Sequence, residues 1–145
     1  MKTIVTLLLI LVLFCSKESL AQTSKQMVQL HQVPNHVTTV HLQLPSNKVR
    51  IVKTKSSRIS IETTISLDAG SPPLLDYLIQ SKRYELKAKS SSDSPVLLLA
   101  LAPSSKVLII KGAVCQEALT YVVYVPEHLL KVTTSYSAIT ASLAK

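Results

Sequence analysis

Apolar and polar residues alternate along most of this chain with a period of two, the pattern of strands that bury one face. Val40, Leu42 and Leu44 stand against His41 and Gln43, and Val49 and Ile51 against Lys48 and Arg50, with Lys53 beyond Val52. Ile59, Ile61, Thr63, Ile65 and Leu67 then take every second position against Ser60, Glu62, Thr64 and Ser66. The β-branched content of that run disfavours a helix. Tyr84, Leu86 and Ala88 resume the period, with Glu85, Lys87 and Lys89 on the wet side. Val96 to Leu101 and Ala118 to Val125 are apolar at consecutive positions, which predicts strands covered on both faces. Val107 to Ile110, Leu130 with Val132, and a last weak strand around Ile139 complete the set. Gln22 to Gln32 is polar without a clear period and reads either as a flexible leader or as a first edge strand.

Turn residues separate these runs at Pro34-Asn35, Pro45-Ser46-Asn47, Ser90 to Pro95, Pro103-Ser104-Ser105, Gly112 and Pro126-Glu127-His128. One stretch has a different period. Ser71 can cap a helix, Pro72 is tolerated in its first turn, and Leu74, Leu75, Leu78 and Ile79 share a helical face, so a short helix is predicted over Pro73 to Ser81. Nine or ten strands at spacings of roughly 8 to 12 residues predict an all-β fold with one short helix. Its stacked short strands suit either a β-helix-like or a sandwich architecture. No repeat is strict enough to count rungs. The densest apolar and β-branched segment lies between Lys106 and Pro126.

The first residues follow another logic. Lys2 precedes an apolar run from Ile4 to Phe14, broken only by Thr6 and shorter than the roughly 20 residues a transmembrane helix needs. Ser19-Leu20-Ala21 then offers small residues at the positions a signal peptidase reads. The expectation is a signal peptide over residues 1–21 and a single β-rich domain over 22–145, exported to the periplasm, the cell surface or beyond, with no transmembrane span in the mature chain. A lipid-modified Cys15 is disfavoured, because Phe14 stands where that signal needs a small residue. Cys115 alone survives processing, so no intrachain disulfide is available and stability must come from burial and strand pairing. Cys115 itself reads as a small, partly buried apolar residue.

Charge adds a bias in partner. The chain carries 16 Lys and Arg against 8 Asp and Glu, a net charge of +8, which favours acidic partners. Lys48, Arg50, Lys53, Lys55 and Arg58 place five cations in eleven residues, with Lys48 and Arg50 on one strand face and the others in or beside the following turn. They form a candidate patch for an acidic envelope polymer or another protein, or a charged edge that blocks strand addition. Nucleic acid is not expected, because the compartment is wrong and no aromatic residues interleave with the cations.

No residue pattern argues for catalysis, a metal or a cofactor. His31, His36 and His41 recur every five residues, but that odd spacing sends His36 to the opposite face of a strand and Pro34 breaks the run. Cys115 and His128 have the types of a thiol nucleophile and its base without an orienting third group. The serines lie in turn clusters without a Gly-x-Ser-x-Gly elbow, and Glu62, Asp68, Asp76, Glu85, Asp93, Glu117 and Glu127 show no paired spacing. An enzyme is therefore not expected.

The succession Lys111-Gly112, Gln116-Glu117 and Tyr121-Val122-Val123-Tyr124-Val125-Pro126-Glu127 resembles exported bacterial proteins of the auto-transporter adhesin head type, found in Bacteroidota. Ser46-Asn47-Lys48-Val49-Arg50-Ile51, continuing to Ile61, is similar to the short rungs that open such domains. The resemblance covers about half of the predicted mature chain. It implies a right-handed, β-helix-like stack at the cell surface or in the periplasm, with no catalytic residues to carry over. Two departures stand against it. Gly70 and Gly112 are the only glycines where such domains are richer in corner residues, and Lys145 follows Pro126 sooner than further rungs require, which implies a short relative or a truncated C-terminal end. The function expected is a non-enzymatic, structural or adhesin-like interaction protein of the cell envelope. The alternative is a periplasmic binding module for a small molecule or acidic polymer, with an apolar pocket between Val96 to Leu101 and Ala118 to Val125.

Overall fold

A computed structural model of the chain describes residues 22–102 and 107–136. The fold is all-β with one short helix. In the first sheet, β1 (Thr23–Gln32) pairs antiparallel with β4 (Arg58–Leu67), β4 antiparallel with β9 (Glu117–Pro126), and β9 parallel with β3 (Val49–Thr54). In the second, β10 (Lys131–Tyr136), β2 (Thr39–Leu44) and β6 (Val96–Leu101) run parallel in that order, and β5 (Leu86–Ser90) joins antiparallel at the far edge. A two-residue turn at Lys111 and Gly112 links β7 (Ile109–Ile110) to β8 (Ala113–Val114). Both turn residues have positive φ, 50° and 80°, as the tight turns that match strand twist require.

The inward residues of both sheets share one core. Ile59, Ile61, Ile65 and Leu67 of β4 and Leu119, Tyr121, Val123 and Val125 of β9 come from the first sheet, and Val40, Leu42, Leu44, Leu97 and Leu99 from the second. Each fully buried aliphatic side chain contributes about 1.5–3 kcal/mol, so this set is the main source of stability. Of Gln22 to Gln32, open between leader and strand in the sequence, Thr23–Gln32 forms the edge strand β1, in register with β4 from Thr23 opposite Leu67 to Gln32 opposite Arg58.

The helix α1 spans Pro72–Gln80, one residue earlier than the spacing predicts. Ser71 precedes it in an extended conformation without a side-chain cap, so the prolines at the start supply the fixed φ and need no donor of their own. Leu75 and Leu78 are buried, and Leu74 and Ile79 pack against the core. Ser81 ends it, donating from its hydroxyl to the Leu78 carbonyl at 2.8 Å. Gly70, just before the helix, holds φ at 143°, and a side chain there would press on Leu67.

Several expectations need correction. The doubly apolar runs of β6 and β9 are interior strands, yet only one face of each is buried. On the other face of β9, Val122 lies between Glu62 and Arg50 and Tyr124 between Ser60 and Val52, in a half-exposed surface. Apolar side chains there are covered by cross-strand neighbours and not by another layer. Ile51 shares the inward side with Val123 but is 39% exposed, because β3 is the sheet edge. Tyr84 belongs to the turn before β5 and not to the strand, and Ala88 is exposed. The expected strand around Ile139 and the signal peptide at residues 1–21 lie outside the described residues; Leu130 precedes β10, which includes Val132 and runs as far as Tyr136.

Two hydroxyls in the core stand out. Thr63 and Tyr121, opposite one another on β4 and β9, are each 0% exposed, and neither hydroxyl has a hydrogen-bond partner among the described residues. Burial alone pushes the Tyr121 phenol far above its ordinary pKa. An unpaired buried hydroxyl costs about 1–3 kcal/mol. Tyr121→Phe is therefore expected to leave stability unchanged or raise it by about 1 kcal/mol in urea unfolding. In the same measurement Ile61→Ala should cost about 2–5 kcal/mol. A loss of more than about 1 kcal/mol in Tyr121→Phe would mean that the hydroxyl is satisfied by buried water.

Candidate functional site

The cationic stretch lies on the free edge of the first sheet. Lys48 precedes β3, Arg50 projects from its outer face, Lys55 sits in the turn after it, and Arg58 opens β4. Strands β3 and β4 are not neighbours, since β9 lies between them, so the turn carries Arg58 roughly 10 Å across the sheet from Thr54. All four side chains are exposed, and none forms an ion pair among the described residues. Lys53 differs from them. It lies inside β3 on the side of Val125, and its Nζ donates to the Leu129 carbonyl at 2.8 Å. That bond ties the edge of the first sheet to the connection leading into β10, and makes Lys53 a strut.

Of the other described cations, Arg83, Lys25 and Lys82 are paired with carboxylates, whereas Lys87, Lys89, Lys111 and Lys131 are exposed and form no ion pair among the described residues. Arg83 donates through Nε and Nη2 to the two oxygens of Glu117, at 2.8 and 2.6 Å, and the Tyr84 hydroxyl donates to Glu117 Oε1 at 2.6 Å. Only 16% of the Arg83 side chain and 12% of the Glu117 side chain is exposed. Burial raises the Glu117 carboxyl, but the bonds from Arg83 and Tyr84 outweigh it and hold the pKa below the ordinary value. Burial and the Glu117 carboxylate push the Tyr84 phenol strongly up. Lys25 pairs with Asp76 of the helix, and Lys82 with Glu85 at 3.8 Å.

Beside Glu117 an open cleft of about 490 Å³ is lined by Pro45, Asn47, Lys48, Leu119 and Tyr136 among others. It lies at the start of β9, near the crossing from β2 to β3, and takes no residue from β6. It is therefore a different cleft from the apolar pocket expected between Val96 to Leu101 and Ala118 to Val125. Lys48 is the point where the cationic edge reaches the cleft.

The three histidines are separated, and no cluster of metal-ligating residues occurs among the described residues. His31, the last residue but one of β1, is half-buried, and burial lowers its pKa although the Glu85 carboxylate opposes this. His36 is in an exposed turn, with Nε2 at 3.1 Å from the Ser91 carbonyl. His41 lies between two hydroxyls of β10, with Nδ1 at 2.7 Å from Thr133 Oγ1 and Nε2 at 3.0 Å from Ser135 Oγ. The serine and threonine were not legible as partners, because 92 and 94 residues separate them from His41. Their only signal is the run of hydroxyl residues Thr133-Thr134-Ser135, of which the strand puts the first and third on one face. Cys115 is buried beside the Ala69 carbonyl, at 2.9 Å, and burial raises its pKa. The ten residues of β9, about 30 Å, separate it from His128.

Compared with known proteins, the chain matches no family model, no curated protein and no solved structure. No helix among the described residues is long and apolar enough to cross a membrane.

Arg83→Met should cost about 3 kcal/mol at neutral pH, because it leaves the Glu117 carboxylate nearly buried beside the Tyr84 hydroxyl alone. The folded carboxyl has the lower pKa, so its contribution is complete above about pH 4.5, the ordinary value, and is lost as pH falls through the folded value. Urea unfolding of both proteins across pH 2.5 to 7 should accordingly show the gap between them closing at the acid end, on the order of that range. A gap independent of pH would assign the loss to packing.

Proposed function

We propose that this chain is an exported, non-enzymatic interaction protein of the cell envelope that binds an acidic polymer along the β3 edge of its first sheet. The observation that carries the reading is the clustering of four exposed cations without an acidic partner among the described residues, Lys48, Arg50, Lys55 and Arg58, within eleven residues on and beside one sheet edge. Elsewhere Arg83 and Lys25 are matched to Glu117 and Asp76. Unmatched charge on a strand edge raises the local concentration of anions and also prevents edge-to-edge association. A flexible polymer suits the arrangement, since the cations spread along a strand and its turn and do not converge on one point. The similarity of Lys111 to Glu127 to adhesin heads of the exported bacterial type is consistent with this role. A second reading, a small anionic ligand in the cleft, is favoured by Lys48 at its rim beside the exposed ring of Tyr136.

The test is retention on a dextran sulfate column. Replacing Lys48, Arg50, Lys55 and Arg58 together by Gln should lower the salt needed for elution to roughly half, with the circular dichroism unchanged. Replacing Lys82, Lys87 and Lys89 should change it little. Lys53→Met should do the reverse of the first set, lowering stability by about 1 kcal/mol with small effect on retention. Equal retention for both multiple variants would reduce the edge to general basicity.

A further inference from the structure

The outer face of the second sheet carries a hydrogen-bond chain that the cationic edge does not use. The parallel register of β10 and β2 sets Thr133 opposite His41 and Ser135 opposite Gln43, so two hydroxyls flank one imidazole. Thr133 Oγ1 lies 3.5 Å from the Val40 carbonyl, to which it donates, and 2.7 Å from His41 Nδ1. With its own proton directed to Val40, the Thr133 oxygen accepts, so Nδ1 carries the ring proton. In the neutral ring Nε2 is then bare, and at 3.0 Å it accepts the proton of Ser135 Oγ. In this tautomer, assigned from the hydrogen-bond network, the chain runs from Val40 outward. It ends on a serine hydroxyl bonded to an imidazole nitrogen that can take its proton, the relation between nucleophile and base that activates serine elsewhere.

We propose that Ser135 is a base-activated hydroxyl that accepts acyl groups from activated esters, with His41 as the base and Thr133 as the residue that positions it. Oγ forms a bond to the acyl carbon, the bond from that carbon to the leaving oxygen breaks, and the hydroxyl proton passes through Nε2 to the leaving oxygen. The product is an ester on Ser135 and a free alcohol or phenol. Ser135 is half-buried, and the exposed residue Gln43 lies opposite it on β2, one strand spacing away, about 5 Å between backbones. The chemistry called for is acceptance of a group and not turnover, so it stands apart from polymer binding.

The probe is p-nitrophenyl acetate on the full chain, read by peptide mass mapping and by release of p-nitrophenol. Acetylation should map to Ser135 ahead of every other hydroxyl residue and vanish from that peptide in Ser135→Ala. His41→Gln should slow it about a hundred-fold. Thr133→Val should slow it about ten-fold or more, and Thr133→Ser, which keeps the hydroxyl, should restore it. Ser135 left unmodified in the parent, or modified at the parent's rate in a folded His41→Gln, would overturn the proposal. Should His41→Gln fail to fold, equal rates for Thr133→Val and Thr133→Ser would overturn it as well.

Discussion

The antiparallel ladder between β4 and β9 is the contact on which the rest of the molecule depends. Ser60 opposite Tyr124 through Leu67 opposite Glu117 set one continuous register, and the inward residues of both strands fill the core with β-branched and large side chains. Both strands are interior. β4 carries β1 on its far side and β9 carries β3 in parallel, so the cationic edge has its position only because β9 is held by β4. Slipping β4 by one residue against β9 would turn Ile61 and Ile65 out to water and bring Glu62 and Thr64 inward, which burial forbids.

Around that ladder, polar side chains join the two sheets at their sides. Gln29 of β1 accepts from the Leu86 backbone N–H at 3.1 Å, which ties the edge of one sheet to the first residue of β5 in the other. Glu117, the first residue of β9, gathers Arg83 and Tyr84 from the turn that leads into β5. Lys53 does similar work on the opposite side through Leu129. Charge is thus sorted by position. Where a cation meets a carboxylate or carbonyl at a seam it serves the fold, and along the outer edge of β3 it stays exposed without an ion pair among the described residues.

The sequence carried the strands well where local physics defines them. Ile59 to Leu67 alternates with Thr63 as the one polar residue on the inward face, and β4 has those bounds with one residue added at its start. The helix was equally legible from two prolines and four apolar residues on one face. Less was legible at the site. The cations could be read as a cluster, but Lys53 could not be told from its neighbours, because its partner is a carbonyl 76 residues away. Arg83 and Glu117 gave no signal for the same reason, at 34 residues.

What the sequence determined by itself is the class of element at each position and its wet and dry sides, since alternation, β-branching and turn residues act within a few bonds. Tertiary structure alone decided which strands are neighbours. The parallel pairs β3 with β9 and β10 with β2 join segments remote in the chain, and nothing in either segment names its partner. For that reason the tertiary structure turned Lys53 into a strut and left Arg50 free. It also set His41 between Thr133 and Ser135, because hydrogen-bond registers between distant strands are fixed by how the whole core closes.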